Sequence, residues 1–358
     1  MSVTSPPPWV EIAGIRLVPP PDVDAAVLAA MQSGRYEEPE MRALAATLRA
    51  DDVVMELGTG IGLLSAWCAR RIGSDRVFTF EANPELEAQI RQTYRLNGVS
   101  PQLQMCMLTE HAGEQEFFIH EAFWASSSEP GVGTARAVRV PTLPLNEQIR
   151  RIDPSVLVMD IKGGEHALMA FIDLHRITRV VAEIHERQLG RDRVDAIMRR
   201  FYEAGFRIDR ELSAWEVCCL ERHPQGPAAR VLTLDEFTEG PWRLGTHWCV
   251  PHLDTLATLL PPGCRYAMVD GDQWSSLQLL PRRTRTPFVE RDGQFWGAPE
   301  DDAQALQELE RQRSLGLQFL VFGGTEMWWL DHYTALAQRL HGQYRLIARH
   351  ESLVAFAL

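Results

Sequence analysis

Val53-Val54-Met55-Glu56-Leu57-Gly58-Thr59-Gly60-Ile61-Gly62 is a short apolar run that breaks into a loop with glycine at every second position. Val53–Leu57 has the continuous apolar character of a strand buried on both faces, and Leu63–Arg71 after the loop has helical patterning. Glycine permits the sharp turn and lets backbone approach a ligand closely, while the first N–H groups of the helix are available to an anion. The dinucleotide spacing G-x-G-x-x-G would need glycine at 63, where the chain has Leu63. A close fit to a pyrophosphate is therefore not expected. Glu56, just before the loop, would repel a phosphate and suits an amino group.

Downstream, Arg76–Glu81 is a second strand, closed by Glu81 21 residues beyond Gly60. An acid there can accept hydrogen bonds from both hydroxyls of a ribose. Amine, carboxylate and ribose together describe S-adenosylmethionine, with S-adenosylhomocysteine as product. Glu56, Gly58, Thr59, Gly60, Gly62 and Glu81 are the cofactor-binding candidates on this reading. The plainer alternative is a glycine-rich turn that only packs helix on strand.

Further out, the alternation continues. Helical periodicity over Asp22–Ala50 breaks at Ser33-Gly34, and Pro84–Asn97 is a helix stopped by Asn97-Gly98. Gln102–Leu108 is a strand, Gln115–His120 and Ala135–Val140 form a hairpin-like excursion, and Val156–Ile161 is a buried strand followed by helix His166–Leu174. Val180–Ile184, helix Arg191–Ala204 and strand Trp215–Leu220 complete the series. Strands alternating with helices imply an α/β fold with a doubly wound, mostly parallel, Rossmann-like sheet. The pattern lapses across Arg222–Arg230, after which strand Tyr266–Val269, helix Asp301–Ser314, strand Phe319–Phe322, helix Trp328–His341 and strands Tyr344–Arg349 and Leu353–Ala357 describe a second, smaller C-terminal α/β domain. The expected division is a helical extension over 1–50, a cofactor-binding domain over 51–225 and an accessory domain over 226–358.

Composition bounds the function. The 358 residues are 45% hydrophobic and 23% charged, with a net charge of -12, which disfavours nucleic acid and anionic membranes as partners. The six cysteines form no spaced framework, the N-terminus lacks a signal-peptide pattern, and no run of apolar residues is long enough to span a bilayer. A cytoplasmic protein is expected. Of the 36 basic residues, only Lys162 is lysine; codon drift in a GC-rich genome accounts for the arginines.

Several further segments together resemble the FkbM methyltransferase family, a class I S-adenosylmethionine-dependent group. Phe80-Glu81-Ala82-Asn83-Pro84 is similar to its FEPNP stretch, Trp124-Ala125-Ser126-Ser127-Ser128 to its serine-rich insertion, and Val140-Pro141-Thr142-Leu143 to its VPT-L strand. Val158-Met159-Asp160-Ile161-Lys162-Gly163-Gly164-Glu165 resembles MDIEGGE, Val181-Ala182-Glu183-Ile184-His185 resembles ILEIH, and Gly34-Arg35-Tyr36-Glu37 matches a segment ahead of the cofactor domain. The resemblance covers roughly half the chain. It implies methyl transfer to an oxygen of a small molecule or saccharide, and adds Ala82, Asn83, Tyr36 and Glu37 to the cofactor-binding candidates.

Methyl transfer to a hydroxyl needs in-line positioning and a group to take the proton. Asp160 ends the strand after the topological switch, and His185 ends the next strand on the same edge. Either can be the base, with Glu165 orienting it or binding substrate; equally, Asp160 can cap a helix, His185 can be structural and Glu165 a first-turn dipole partner. Lys162 replaces the acid usual in the resembled segment. It can anchor an anionic acceptor, act as a desolvated base, or be a solvated substitution in a pocket drifting out of use. No metal-ligand set is assigned.

In the C-terminal part, seven of ten tryptophans follow residue 214, which suits sugar contact or simple packing. Thr286–Gly297 and Trp328–Tyr333 resemble a module accompanying some bacterial glycosyltransferases, and Asp270-Gly271-Asp272 suggests a turn or a metal or nucleotide-sugar site. The expected partner is a small-molecule or saccharide acceptor, with the oligomeric state open. Alternatives to a methyltransferase are a non-catalytic cofactor- or glycan-binding protein and a nicotinamide-dependent oxidoreductase.

Overall fold

The computed structural model describes residues 9–21, 23, 25–120, 135–214, 216–222, 231–238, 253–271, 280–291, 293–350 and 353–358. The serine-rich segment 124–128, Trp215, the lapse over 223–230 and Asp272 lie outside the described residues. The chain divides into two compact units, Met1–Gly240 and Pro241–Leu358.

In the first unit, β1 (Val10–Ile12) and β2 (Ile15–Leu17) form a hairpin ahead of α1 (Ala25–Gln32) and α2 (Glu38–Thr47). The hairpin was not expected from the sequence, because three-residue strands give too few alternations to register. Ile12, Ile15, Leu17, Met31 and Leu44 are buried in one core with Val54, Trp67 and Val156, so this stretch folds into the unit.

The loop region follows as β3 (Val54–Leu57), α3 (Leu63–Ile72), β4 (Val77–Glu81), α4 (Glu87–Asn97) and β5 (Gln102–Met105). Gly98 ends α4 in the left-handed conformation, as a helix C-terminus favours. The chain then leaves the main sheet through β6 (Met107–Thr109), β7 (Gly113–His120) and β8 (Ala135–Pro144), which form a separate sheet in the order β6-β8-β7. What the sequence shows as one strand over 102–108 is therefore two strands in two sheets, divided at the buried Cys106. Next come α5 (Leu145–Ile152), β9 (Val156–Met159), α6 (Glu165–Met169), β10 (Arg179–Glu183), α7 (Glu186–Leu189), α8 (Arg191–Glu203), β11 (Phe206–Asp209), β12 (Val217–Arg222), β13 (Val231–Leu232) and α9 (Leu234–Thr238).

The main sheet has the order β13-β11-β12-β10-β9-β3-β4-β5. It is parallel from β10 to β5, and β12, β11 and β13 add antiparallel pairs at the other side. The large, mostly parallel sheet follows the sequence expectation; the antiparallel end does not, since β11 and β13 are too short to stand out. Because β13 pairs with β11, the first unit runs past residue 225. Strand order reverses between β3 and β9, and open α/β sheets bind ligands in the crevice at such a switch point.

The second unit has α10 (Leu253–Leu259), β14 (Arg265–Val269), β15 (Thr284–Pro287), β16 (Glu290–Arg291), β17 (Gln294–Phe295), α11 (Asp302–Ser314), β18 (Phe319–Gly323), α12 (Trp329–His332), α13 (Thr334–Gln343), β19 (Arg345–His350) and β20 (Leu353–Ala357). Its sheet order is β15-β14-β18-β20-β19, with the first three strands parallel and the last two antiparallel. Among the described residues, no helix is long and apolar enough to cross a membrane.

Candidate functional site

The glycine loop is shaped by two neighbours from the fold. Gly58 has φ +83°, and a Cβ there would lie 1.9 Å from the carbonyl oxygen of Asp160. Only glycine lets β3 and the end of β9 approach this closely. The backbone N–H groups of Thr59 and Gly60 both donate to Glu81 Oε2 at 3.0 Å, and Asn83 N–H donates to Oε1 at 2.7 Å. The anion that the loop amides hold is thus the protein's own Glu81. Burial lifts its pKa to about 7 despite these three donors.

A cavity of about 290 Å³ opens at the switch point. Its wall brings together Gly58, Gly60, Glu81, Ala82 and Asn83, with Tyr36 and Glu37 from the entry to α2, and Asp160 and Lys162 from the segment after β9. Phe80, Leu86, Met107, Leu108 and Phe117 give it an apolar side. Glu37, itself in the left-handed conformation as N-cap of α2, carries a pKa raised well above the usual carboxylate range, by burial and by Glu40, Glu56 and Asp160. Burial and Glu37 also raise Tyr36.

Glu56 does not line the cavity. It is 1% exposed, accepts a hydrogen bond from Thr79 Oγ1 and another from Ser65, and is pushed up to about 8 by burial. The expectation that it receives an amino group is corrected accordingly: the carboxylate offered to the cavity beside Gly60 is that of Glu37. Thr59 is likewise buried, with its hydroxyl hydrogen-bonded to Thr79, and Gly62 is the N-cap of α3, outside the cavity wall.

The residues named for proton chemistry form one network. Lys162 Nζ lies 2.9 Å from Asp160 Oδ1, 2.9 Å from Glu183 Oε2 and 3.0 Å from His185 Nε2. Lys162 hydrogen-bonds to Glu183 Oε2 and His185 Nε2 and forms an ion pair with Asp160 Oδ1, which has no hydrogen-bond partner among the described residues; an ammonium has no lone pair, so His185 Nε2 is an acceptor. His185 Nδ1 then donates to Glu165 Oε1 at 2.5 Å, and Glu165 is fully buried. Burial lowers the Lys162 pKa, but Asp160 and Glu183 outweigh it and raise it far above the ordinary value. Lys162 is therefore neither a neutral-amine base nor a free anchor for an anionic acceptor.

Burial and Glu183 push Asp160 up to about 6 against the opposing pull of Lys162. Burial would raise Glu183 too, yet Lys162 and His185 bring it well below the usual range. Around His185, burial and Lys162 are outweighed by Glu183 and Glu165, which raise its pKa. Of this network, Asp160 and Lys162 line the cavity, whereas His185 and Glu165 stand behind them. Glu165 orients the imidazole and does not face a substrate.

Two further acids close to this network, Glu183 and Glu40, are not singled out by the sequence. Glu183 shares a strand side with His185, two residues on, a spacing that could have flagged it. Glu40 is buried with Oε2 lacking a hydrogen-bond partner, and burial and Glu183 raise it to about 8; nothing in the sequence separates it from Glu37 and Glu38.

The family model described as the methyltransferase FkbM domain matches residues 52–208. Among solved structures, methyltransferase FkbM from Methylobacillus flagellatus KT is 13% identical with a TM-score of 0.32, over 56% of this chain and 55% of that one. This chain thus spans about half the length of that relative. Cofactor-bound Rv0187 from MTB is 13% identical with a TM-score of 0.34, covering 60% of this chain and 93% of its own. M. jannaschii TYW2 in complex with AdoMet is 13% identical with a TM-score of 0.30, covering 60% and 85%. No curated protein sequence matches the chain.

Proposed function

We propose, from the match of residues 52–208 to the methyltransferase FkbM domain, that the protein transfers a methyl group from S-adenosylmethionine to a hydroxyl of a small molecule or saccharide. The observation that carries this reading is the character of the cavity. Tyr36, Glu37, Glu81 and Asp160 all line it with pKa values raised by burial and by neighbouring acids. Such a set is relieved by a cationic ligand, whereas the pyrophosphate of a nicotinamide dinucleotide would add to the repulsion.

Glu81, with Ala82 and Asn83, would receive the ribose; Glu37 and Tyr36 would receive the amino group; the apolar side would take the adenine. When bound, the cofactor supplies a methyl group on a sulfonium, open to in-line displacement by an oxygen nucleophile. The chain's own contribution is positioning and proton removal. Asp160 faces the cavity and, with its pKa near 6, is ionised at neutral pH and takes the hydroxyl proton. Lys162 holds Asp160 in place, and Glu165 fixes the tautomer of His185 behind it.

Calorimetry with S-adenosylmethionine and S-adenosylhomocysteine tests the cofactor. Both are expected to bind, and Glu81→Gln, which removes a charge while keeping the shape, is expected to weaken binding by roughly tenfold or more. No binding by the wild type would sink the proposal; binding of NAD instead would favour the oxidoreductase alternative. Labelled methyl transfer across a panel of saccharides and small hydroxylated molecules then tests the reaction. Asp160→Asn is expected to lower kcat by about 10²-fold or more.

A further inference from the structure

The sole lysine of the chain lies among three side chains of types that bind metal ions. Asp160, Glu183 and His185 each offer one ligand atom, and these atoms lie within 4.8 Å of one another. Two carboxylate oxygens and an imidazole nitrogen are a donor set for a divalent cation, for Mn²⁺ through the carboxylates and for heavier ions through the imidazole. Their common neighbour is Lys162 Nζ, at 2.9, 2.9 and 3.0 Å.

Two observations outside these contacts point the same way. The first lies behind the histidine. His185 Nδ1 is held by Glu165, which is fully exposed to no solvent and whose Oε2 has no hydrogen-bond partner of its own. A buried carboxylate on the far nitrogen of an imidazole is the arrangement that aims a histidine lone pair at a metal. The second is the backbone: Lys162 adopts φ +47°, the left-handed region that a lysine enters only when its surroundings require it. Glu40 is a further buried acid whose Oε2 has no hydrogen-bond partner.

We propose that Lys162 is a resident cation: its ammonium occupies the centre of an Asp160–Glu183–His185 divalent-cation site, so that the native chain takes up no metal there and removal of the ammonium opens the site. The inference concerns cation binding and does not depend on the methyl-transfer reading. It also gives the lysine a task that neither a base nor a substrate anchor would explain, since its ammonium is in contact with all three would-be metal ligands. Divalent ions bind at shorter distances than an ammonium, 2.0–2.6 Å, and the three donors must close in by several tenths of an ångström when the exchange is made.

Mn²⁺ is the probe, because its free-ion EPR signal disappears on binding. The full-length wild type is expected to show no saturable Mn²⁺ uptake at this cluster. Lys162→Ala is expected to bind one Mn²⁺ per chain at least roughly tenfold more tightly than the wild type, and to lose that gain when Glu183→Gln is added. Its melting temperature is expected to rise with MnCl₂, whereas that of the wild type stays put. Since the variant leaves buried acids facing one another, it is prepared with and without millimolar MnCl₂ and beside Lys162→Ser. A folded variant with no Mn²⁺ uptake overturns the proposal. So does failure of both variants to fold even with Mn²⁺ present, because the ion then cannot replace the ammonium. Mn²⁺ uptake by the wild type that Glu183→Gln abolishes overturns it equally.

Discussion

Both units place acids beyond the carboxyl ends of parallel strands, yet the two sets are used differently. In the second unit, Asp270 follows β14 and Glu326 lies beyond β18. Asp270 is 1% exposed and paired with Arg285 at 2.6 Å, while Glu326 Oε2 accepts hydrogen bonds from the indole N–H groups of Trp328 and Trp329 at 3.0 and 2.6 Å. Each acid there serves to tie strand ends and aromatic packing together. In the first unit, Asp160 follows β9 and Glu183 ends β10, but their cation is on the same turn as Asp160, and Asp160 lines a cavity whose wall holds four groups with raised pKa values. A strand-end acid is thus common property of α/β sheets; a ring of acids around one cation beside a cavity is not.

The strongest way to break this contrast is to remove the cation from each unit. Lys162→Met and Arg285→Met each remove the cation paired with a strand-end acid, and a loss of up to about 3–5 kcal/mol is expected. The difference lies in the pH response. Without Lys162, Asp160 and Glu183 lose the charge that lowers their pKa values, so the native state binds protons more tightly. The loss in Lys162→Met should therefore grow from pH 5 to pH 8. Denaturant melts at the two pH values check this; a loss that is the same at both would make Lys162 no more than another structural ion pair.

Next in size is a pair of glycines. Gly58→Ala drives a methyl group to 1.9 Å from the Asp160 carbonyl, at φ +83°. Backbone cannot swing away, and a loss of about 3 kcal/mol together with loss of cofactor binding is expected. Gly271→Ala meets only Glu326 Oε1, at 3.0 Å and φ +60°. That atom is the far end of a side chain, so a loss of about 1 kcal/mol is expected, mainly conformational. Equal losses in the two melts would mean that the close approach of β3 and β9 is not what Gly58 serves.

The same contrast explains how much could be seen in the sequence. Val53–Gly62 and Arg76–Glu81 fixed β3, the loop and β4 because a buried run, three glycines and an acid are local signals. The second unit's strand Phe319–Phe322 was equally legible, since four consecutive apolar residues bounded by Gly323-Gly324 leave little choice. Asp160 and His185 stand out by strand-end position, and Lys162 by its departure from the segment it resembles. Their grouping around one nitrogen was not legible, because it depends on a left-handed Lys162 that no neighbouring residue announces. For Glu56 the error was one of facing: in a strand buried on both sides, alternation does not say which side meets the ligand, and Glu56 turned to Thr79 and Ser65.

The smallest expected effect is a gradual one, and it separates the units without any mutation. In the first unit, Glu40 and Glu56 are raised to about 8, Glu81 to about 7 and Asp160 to about 6, chiefly by burial. Unfolded, these acids return to the ordinary carboxylate range, so across the interval between the two values the native state holds more protons. Stability then falls gradually as pH rises through that interval. In the second unit the sign is opposite. Arg311 lowers Glu290 and outweighs burial at Glu308, so their contribution is present above the ordinary carboxylate value and is lost only on acidification below it. Hydrogen exchange, corrected for intrinsic rates and followed peptide by peptide, should show protection in β3, β4 and β9 falling between pH 6 and pH 8 while β14 and β18 hold theirs. A cationic ligand should blunt the fall in the first unit, because it stabilises the ionised acids that burial disfavours. Uniform loss of protection across both sheets would show that the buried acids of the first unit are not the groups that set its response to pH.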